Sequence, residues 1–421
     1  MRNRDAYTIY LLNSGLAAFF FAIITTINLI YQAEVAHLNP LQLVLVGTVL
    51  ETTAFLCEIP TGVVADVYSR RLSIIIGTAL YGAGFTLEGL VPHFGVILLA
   101  QVLWGVGATF LSGAEQAWIA DELGDADVTP VFLRGAQVAQ AATLAGIPIS
   151  VALASLRLNL PVVVGGLCYF ALAAFLAVVM PERGFRRAPR GERESWRALA
   201  NTARAGGRAV RHSPLLATIV ALAAFYGMSS EGFDRLWRDH FLYDFAFPSL
   251  GALQPVVWFG IISALGTVLG IGAVEAARRW ARTESHRGMA RTLFALNVLR
   301  IAGVLVFALA GNFALALATY LVAAALRQAN VPLYYAWLNR SIDSKVRATV
   351  LSLSGQVDAL GQIGGGPVIG ALGTVASLRA AIAAAGAILS PALLLYARAI
   401  RQDRAAQSAV AADEAGAVPE P

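Results

Sequence analysis

The sequence predicts an all-α membrane protein: twelve transmembrane helices in two pseudo-symmetric six-helix bundles. Composition, run length and an internal repeat predict it. Of 421 residues, 57% are hydrophobic and 14% charged, against about 25% charged in soluble domains. Mean hydropathy is +0.66. Twelve apolar runs are each long enough to cross a bilayer, and at that length only helices satisfy their own backbone in lipid. Shifted by 219 residues, the chain lies on itself: Ala117-Trp118 meets Ala336-Trp337, Gln137-Val138 meets Gln356-Val357, and Gly146-x-Pro148 meets Gly365-x-Pro367. Two parallel six-helix repeats are a transporter architecture, with the substrate near the midplane between the halves.

The runs fall at 7–31, 40–61, 72–92, 95–119, 131–156, 160–180, 214–240, 252–277, 291–311, 313–338, 347–373 and 377–397. They are called spans one to twelve below. The first exceeds a cleavable signal in length and is expected to be retained. Alternate loops hold 25 of the 31 Lys and Arg residues, while the opposite loops hold only Arg157 and Arg379. That bias places both termini in the cytoplasm. The expected organisation is a bundle over 1–180, a cytoplasmic connector over 181–213, a second bundle over 214–398 and a disordered tail over 399–421.

Several function classes are excluded. The net charge of +5 is no nucleic-acid signal, because most of the arginines lie in the loops between apolar runs. No G-x-x-x-x-G-K-[ST] is present, so no ATP site is expected. No H-E-x-x-H or paired C-x-x-C suggests a metal or cofactor, and no enzyme activity is expected. Cys57 and Cys168 lie in apolar runs and read as packing residues.

Spans two and three are joined by Gly62-Val-Val-Ala-Asp66-Val-Tyr-Ser-Arg70-Arg71, a short charged turn. A partial echo, Glu275-x-x-x-Arg279, follows span eight. The spacing G-x-x-x-D-x-x-x-R-R resembles the signature of the major facilitator superfamily, and the resemblance covers the chain up to about residue 398. Glu58-Ile-Pro60-Thr-Gly62, Ser112-Gly-Ala-Glu115-Gln-Ala-Trp118 and Glu231-Gly-Phe-Asp234-Arg235-Leu-Trp237 look like the twelve-span drug-efflux branch that includes tetracycline- and macrolide-efflux-like proteins. Two departures stand out. Gln101 holds a place where drug/proton antiporters carry an arginine, and Gly146-Ile-Pro148-Ile-Ser150 is a degenerate span-five motif.

The resemblance implies a conformational latch of Gly62, Asp66, Arg70, Arg71 and Asp121. Arg70 would pair with Asp121, with Glu122 as the fallback. Asp66 would face the N-terminal end of span eleven, where helix N–H groups favour an anion. The alternative is a topology-setting turn with solvated charges.

Acids inside spans are functional candidates by default. Glu115 in span four and Asp358 in span eleven are candidate proton-coupling acids in the cavity. Glu231 and Asp234 are further candidates in span seven, placed i,i+4 from Arg235 and Arg238; a structural ion-pair stripe explains them equally well. Glu58 is assigned to supporting the latch. Glu88, near an outer helix end, is expected to be solvated. Arg300 and Arg327 are the expected buried cations. Phe225, Tyr226, Trp258, Arg327, Tyr334 and Tyr335 are candidates for the substrate cavity, where the rings could hold an amphiphilic or cationic solute and Arg327 would pair with an acid or an anionic substrate.

The expected function is secondary transport by alternating access: export of hydrophobic drug-like or secondary-metabolite compounds against inward proton flow, across a bacterial inner membrane. Expected partners are a small molecule, protons and the bilayer, with a monomeric chain. The alternatives are a carrier of another solute such as a lipid, sugar or siderophore without proton antiport, and a non-transporting receptor or scaffold.

Overall fold

The computed structural model describes residues 2–124, 127–186, 204, 207–208, 210–211, 213–251, 253–280, 286–342 and 344–401. All regular structure among them is helical. Eleven helices are long and apolar enough to cross a membrane. The 32-residue helix Ser344–Val375 lies where span eleven was expected and completes twelve. The chain is thus a multi-pass membrane protein. Most of the expected connector and the tail beyond Arg401 lie outside the described residues.

Helix starts follow from capping residues. Asn39 and Gln42 form a capping box ahead of span two, Pro40–Val67. The Ser69 hydroxyl accepts from the Leu72 N–H at 2.9 Å to start span three, Arg70–Leu90. Asn312 and Ser377 do the same for spans ten and twelve. Such caps satisfy helix N–H groups that otherwise lack a partner, each contributing about 1 kcal/mol.

Three elements differ from expectation. Span one is two helices, Arg2–Thr25 and Asn28–Glu34. At the break, Thr25 and Thr26 hydroxyls donate to the carbonyls of Phe21 and Ala22, a local competition that bends helices. Span four is also two helices, Phe94–Leu111 and Ala114–Leu123, parted at Gly113 with φ 69°. Only glycine adopts that backbone cheaply. Third, the charged motif is not a loop. Gly62 and Asp66 lie in the last turns of span two, Tyr68 and Ser69 make the turn, and Arg70 opens span three.

The chain forms two compact units. Unit 1 comprises Met1–Ala200, Arg235–Ala264 and Gly366–Val375. Its rings cluster around Tyr81: Tyr169 at 5.4 Å and Trp104 at 6.2 Å, with Phe85 and Trp104 5.0 Å apart. Spans three and four touch backbone to backbone here, since a Cβ at Gly77 would lie 2.7 Å from the Gly107 carbonyl oxygen. The later segments of unit 1 bond to its first-half helices. Tyr243 donates to Glu34, Gln254 to the Ser155 carbonyl, and the Leu41 N–H to Thr374.

Unit 2 comprises Asn201–Asp234, Leu265–Gly365 and Ala376–Pro421. Its core centres on Trp337 and Tyr396, 5.7 Å apart. Trp118 and Trp337, equivalent under the 219-residue shift, are both fully buried. Spans seven and eleven approach closely at glycines: a Cβ at Gly361 would lie 2.7 Å from the Ala224 carbonyl oxygen, and one at Gly365 would lie 2.6 Å from Met228 Cα.

Candidate functional site

In unit 1 the motif builds an ion-pair cluster. Arg70 pairs with Asp121 at 2.5 Å and donates to the Ala117 carbonyl at 2.6 Å. Asp121, not the fallback Glu122, is the partner; Glu122 accepts the N–H groups of Arg183 and Gly184. Arg71 donates to the Ala177 carbonyl at 2.5 Å. Glu182, which sequence reasoning missed, accepts from the Ser69 hydroxyl and the Arg71 N–H, tying the start of span three to the end of span six. Asp66 is half-buried at the end of span two, and Glu58, assigned to this region, is exposed. The echo in unit 2 behaves differently. Glu275 binds Arg278 and Arg279 of its own helix, in solvent.

Unit 2 holds a cavity of about 260 Å³ between spans seven, nine, ten and eleven. Arg300, Arg327, Asp358, Tyr226, Tyr334 and Tyr335 line it, with Asn330 and Gln362. The close span seven–eleven contact brings Asp358 to this wall. Gln362, one turn on, donates to its carboxylate at 2.9 Å. Arg327 forms an ion pair with Asp234. The Tyr226 hydroxyl is fixed by Asn297 at 3.0 Å, Tyr396 at 3.1 Å and Asn330 at 3.3 Å.

The other candidate residues lie elsewhere or bond differently. Asp234 forms its ion pair with Arg327, 93 residues away on another helix, rather than with the local i,i+4 arginine. Arg238 donates to the Thr25 carbonyl and lies over the Trp237 ring, 4.3 Å from its centroid. Trp258 does not line the cavity; its indole N–H donates to the Pro248 carbonyl, pinning the segment before span eight. Phe225 does not line it either. Glu231 is buried on span seven, outside the lining. Glu115 is in unit 1, just after the Gly113 break, where Asn13 and Ser14 of span one donate to one carboxylate oxygen.

Glu88 is the largest correction. It is 0% exposed. Gln32 donates to one carboxylate oxygen at 2.6 Å and Gln101 to the other at 3.0 Å, while Arg235 adds a positive charge nearby. The Tyr31 hydroxyl donates to the Glu88 backbone carbonyl. Gln101, unexpected where a drug antiporter carries arginine, thus has a local partner. The signal available in sequence was the set of three polar residues, Glu88 and Gln101 inside apolar runs and Gln32 at the end of one.

The family model of the Major Facilitator Superfamily matches residues 10–284. The chain is similar to an uncharacterized MFS-type transporter, YxaM, of Bacillus subtilis (strain 168), with 21% identity over 357 residues covering 85% of this chain and 86% of that protein. Among solved structures it resembles a point mutant of the nucleoside transporter NupG, with a TM-score of 0.76 and 14% identity, over 94% of this chain and 99% of that one. It also resembles a bacterial homolog of the human lysosomal transporter Spinster in an inward-facing, unoccupied conformation, with a TM-score of 0.71 and 14% identity, over 95% of this chain and 97% of that one. Likeness at that identity carries the fold alone. Motif, twelve spans and family match agree: the chain belongs to the Major Facilitator Superfamily and is a secondary transporter.

Proposed function

We propose that this transporter is a proton-coupled carrier of a small amphiphilic organic molecule, held in the unit 2 cavity, with Asp358 as the acid that takes up the proton. The cavity itself is the main support. Two arginines, an aspartate and three tyrosines converge on a space of about 260 Å³, close to the lower end of small-molecule pockets, roughly 300 Å³. Charged side chains inside a membrane are costly and mark function.

Asp358 is the acid best placed to exchange a proton. Its hydrogen-bond partner Gln362 is neutral, and an amide can donate to a carboxylate or accept from a carboxylic acid. Asp234 is committed to Arg327, and Glu115 to Asn13 and Ser14. The Arg70–Asp121 pair, with Gly62, Asp66 and Arg71, acts as the latch of one conformational state. Drug-like or secondary-metabolite solutes, outward direction, a bacterial inner membrane, cytoplasmic termini and a monomeric state are the working expectations.

Uptake into everted vesicles, with and without an imposed pH gradient, tests this. Gradient-driven uptake in the parent chain that loses its gradient response in Asp358→Asn is the expected result. An unchanged gradient response in Asp358→Asn removes Asp358 as the proton site. Gradient-independent uptake favours a facilitator, and no uptake of any compound in a broad panel sinks the carrier reading.

A further inference from the structure

We propose that Arg300 is an anion-binding residue and that the solute is a small organic monoanion, best an aryl carboxylate. The proposal rests on the unit 2 cavity being the solute site. Arg300 is only 6% exposed yet lines that cavity. Among the described residues, no hydrogen bond or ion pair occupies its guanidinium. Arg327 and Asp234 act on it electrostatically, and Asp234 is already taken by Arg327. A buried cation without a counter-charge is costly. Its planar fork of five N–H donors matches a carboxylate in bidentate fashion.

The fold does not require this cation. Under the 219-residue shift the place of Arg300 is held in the first half by Tyr81, packed among rings. The charge is an addition to a helix contact that an aromatic side chain can make.

Charge counting narrows the ligand. Arg300 and Arg327 face Asp234 and Asp358, so the set is neutral while both acids are ionised. A proton on Asp358 leaves one positive charge, which one negative charge on the solute balances. The groups facing Asp358 are Arg327 and Tyr334 from span ten, Gln362 from its own helix, and Arg300 across the cavity. Span seven adds Asp234, bound to Arg327, and Tyr226, while Glu231 is buried on the same helix. The Tyr226 and Tyr334 rings meet edge to face at 5.6 Å beside Arg300, a surface suited to an aromatic ring. Anion and proton therefore bind together, and raising the pH weakens the anion.

The test is binding to the purified full chain in detergent. Benzoate is the probe, benzamide its neutral analogue and inorganic phosphate the competing anion source. Benzoate should bind at least about tenfold more tightly than benzamide at pH 6, since a charge-assisted bidentate pair replaces neutral bonds. Arg300→Gln should bring that ratio close to one, and Arg300→Lys should keep part of it. Above the point where Asp358 ionises, benzoate affinity should fall by up to about tenfold per pH unit, and Asp358→Asn should abolish this fall while keeping the preference. Equal binding of benzoate and benzamide, a ratio untouched by Arg300→Gln, phosphate competing as well as benzoate, or no saturable benzoate binding would each overturn the proposal. Should Arg300→Gln fail to fold, Arg300→Lys and the wild-type comparison still decide it. Benzoate binding without vesicle uptake keeps this site and removes the carrier reading. Proton-driven uptake of solutes whose affinity ignores Arg300→Gln does the reverse.

Discussion

The two halves share a helix framework but place polarity at different depths. In unit 1, Glu88 and Gln101 form a buried polar contact between spans three and four, and Tyr81 and Trp104 a ring contact further along the same helices. The 219-residue counterparts of Glu88 and Gln101 are Phe307 and Tyr320, rings 5.5 Å apart. The counterparts of Tyr81 and Trp104 are Arg300 and Ala323. Polar and aromatic have exchanged places. Glu88 lies close to the end of span three, Arg70–Leu90. Arg300 lies roughly 14 Å inside span nine, His286–Leu309, at about 1.5 Å per residue. The same contact can therefore be closed by rings or by charges, and what separates the charges is satisfaction. Glu88 has donors on both oxygens; among the described residues, the Arg300 guanidinium has no acceptor. Full satisfaction points to a structural group, and an open fork facing a cavity points to a ligand.

Grafting one half onto the other tests this most severely. Tyr81→Arg places the unit 2 cation among Phe85, Trp104 and Tyr169, with no acid prepared for it. An unpaired buried charge costs about 3–5 kcal/mol, so a large fall in detergent melting temperature is expected. A variant as stable as the parent would mean that unit 1 tolerates the charge and that Arg300 is no special case.

Glu88 comes next. Glu88→Leu leaves the Gln32 and Gln101 amides without an acceptor, at roughly 1–3 kcal/mol each. Glu88→Gln keeps a side-chain carbonyl for one of them and should lose about half as much. If Glu88 is structural, Glu88→Gln leaves the pH dependence of transport unchanged. A shifted pH profile would instead make it a second proton site. Glu88→Phe combined with Gln101→Tyr imports the unit 2 ring pair and should be more stable than either single change, because neighbouring residues are not additive.

Local signals in the sequence were reliable, and distant ones were not. Asn39, Ser69, Asn312 and Ser377 announce the helices they cap, and the apolar runs place all twelve spans. The Arg70–Asp121 pair was legible only because the motif carries a family resemblance. Glu88 was misread because proximity to a helix end suggests solvent, while its partner Gln32 is 56 residues away. Asp234 stands i,i+4 from Arg238, yet its partner Arg327 comes from another span. Helical spacing shows which neighbours are possible on one helix and says nothing about which other helix packs alongside. The breaks at Thr25-Thr26 and Ser112-Gly113 did have a signal, in paired hydroxyls and a glycine within apolar runs.

The smallest expected effect separates the motif from its echo. Arg70 and Asp121 have side chains only 18% and 25% exposed, against 66% and 40% for Arg279 and Glu275. Exposed pairs within one helix contribute about 0.3–0.5 kcal/mol, so Arg279→Ala should barely change melting or transport. Arg70 joins two helices and also serves the Ala117 carbonyl. Arg70→Ala should lower stability by about 1 kcal/mol, and a double-mutant cycle with Asp121→Ala should assign most of it to the pair. Under the 219-residue shift the place of Asp121 is taken by Arg340. Arg279 pairs within its own helix, with Glu275. Equal and negligible effects of Arg70→Ala and Arg279→Ala in the parent chain would reduce the motif to a topology signal and remove the latch.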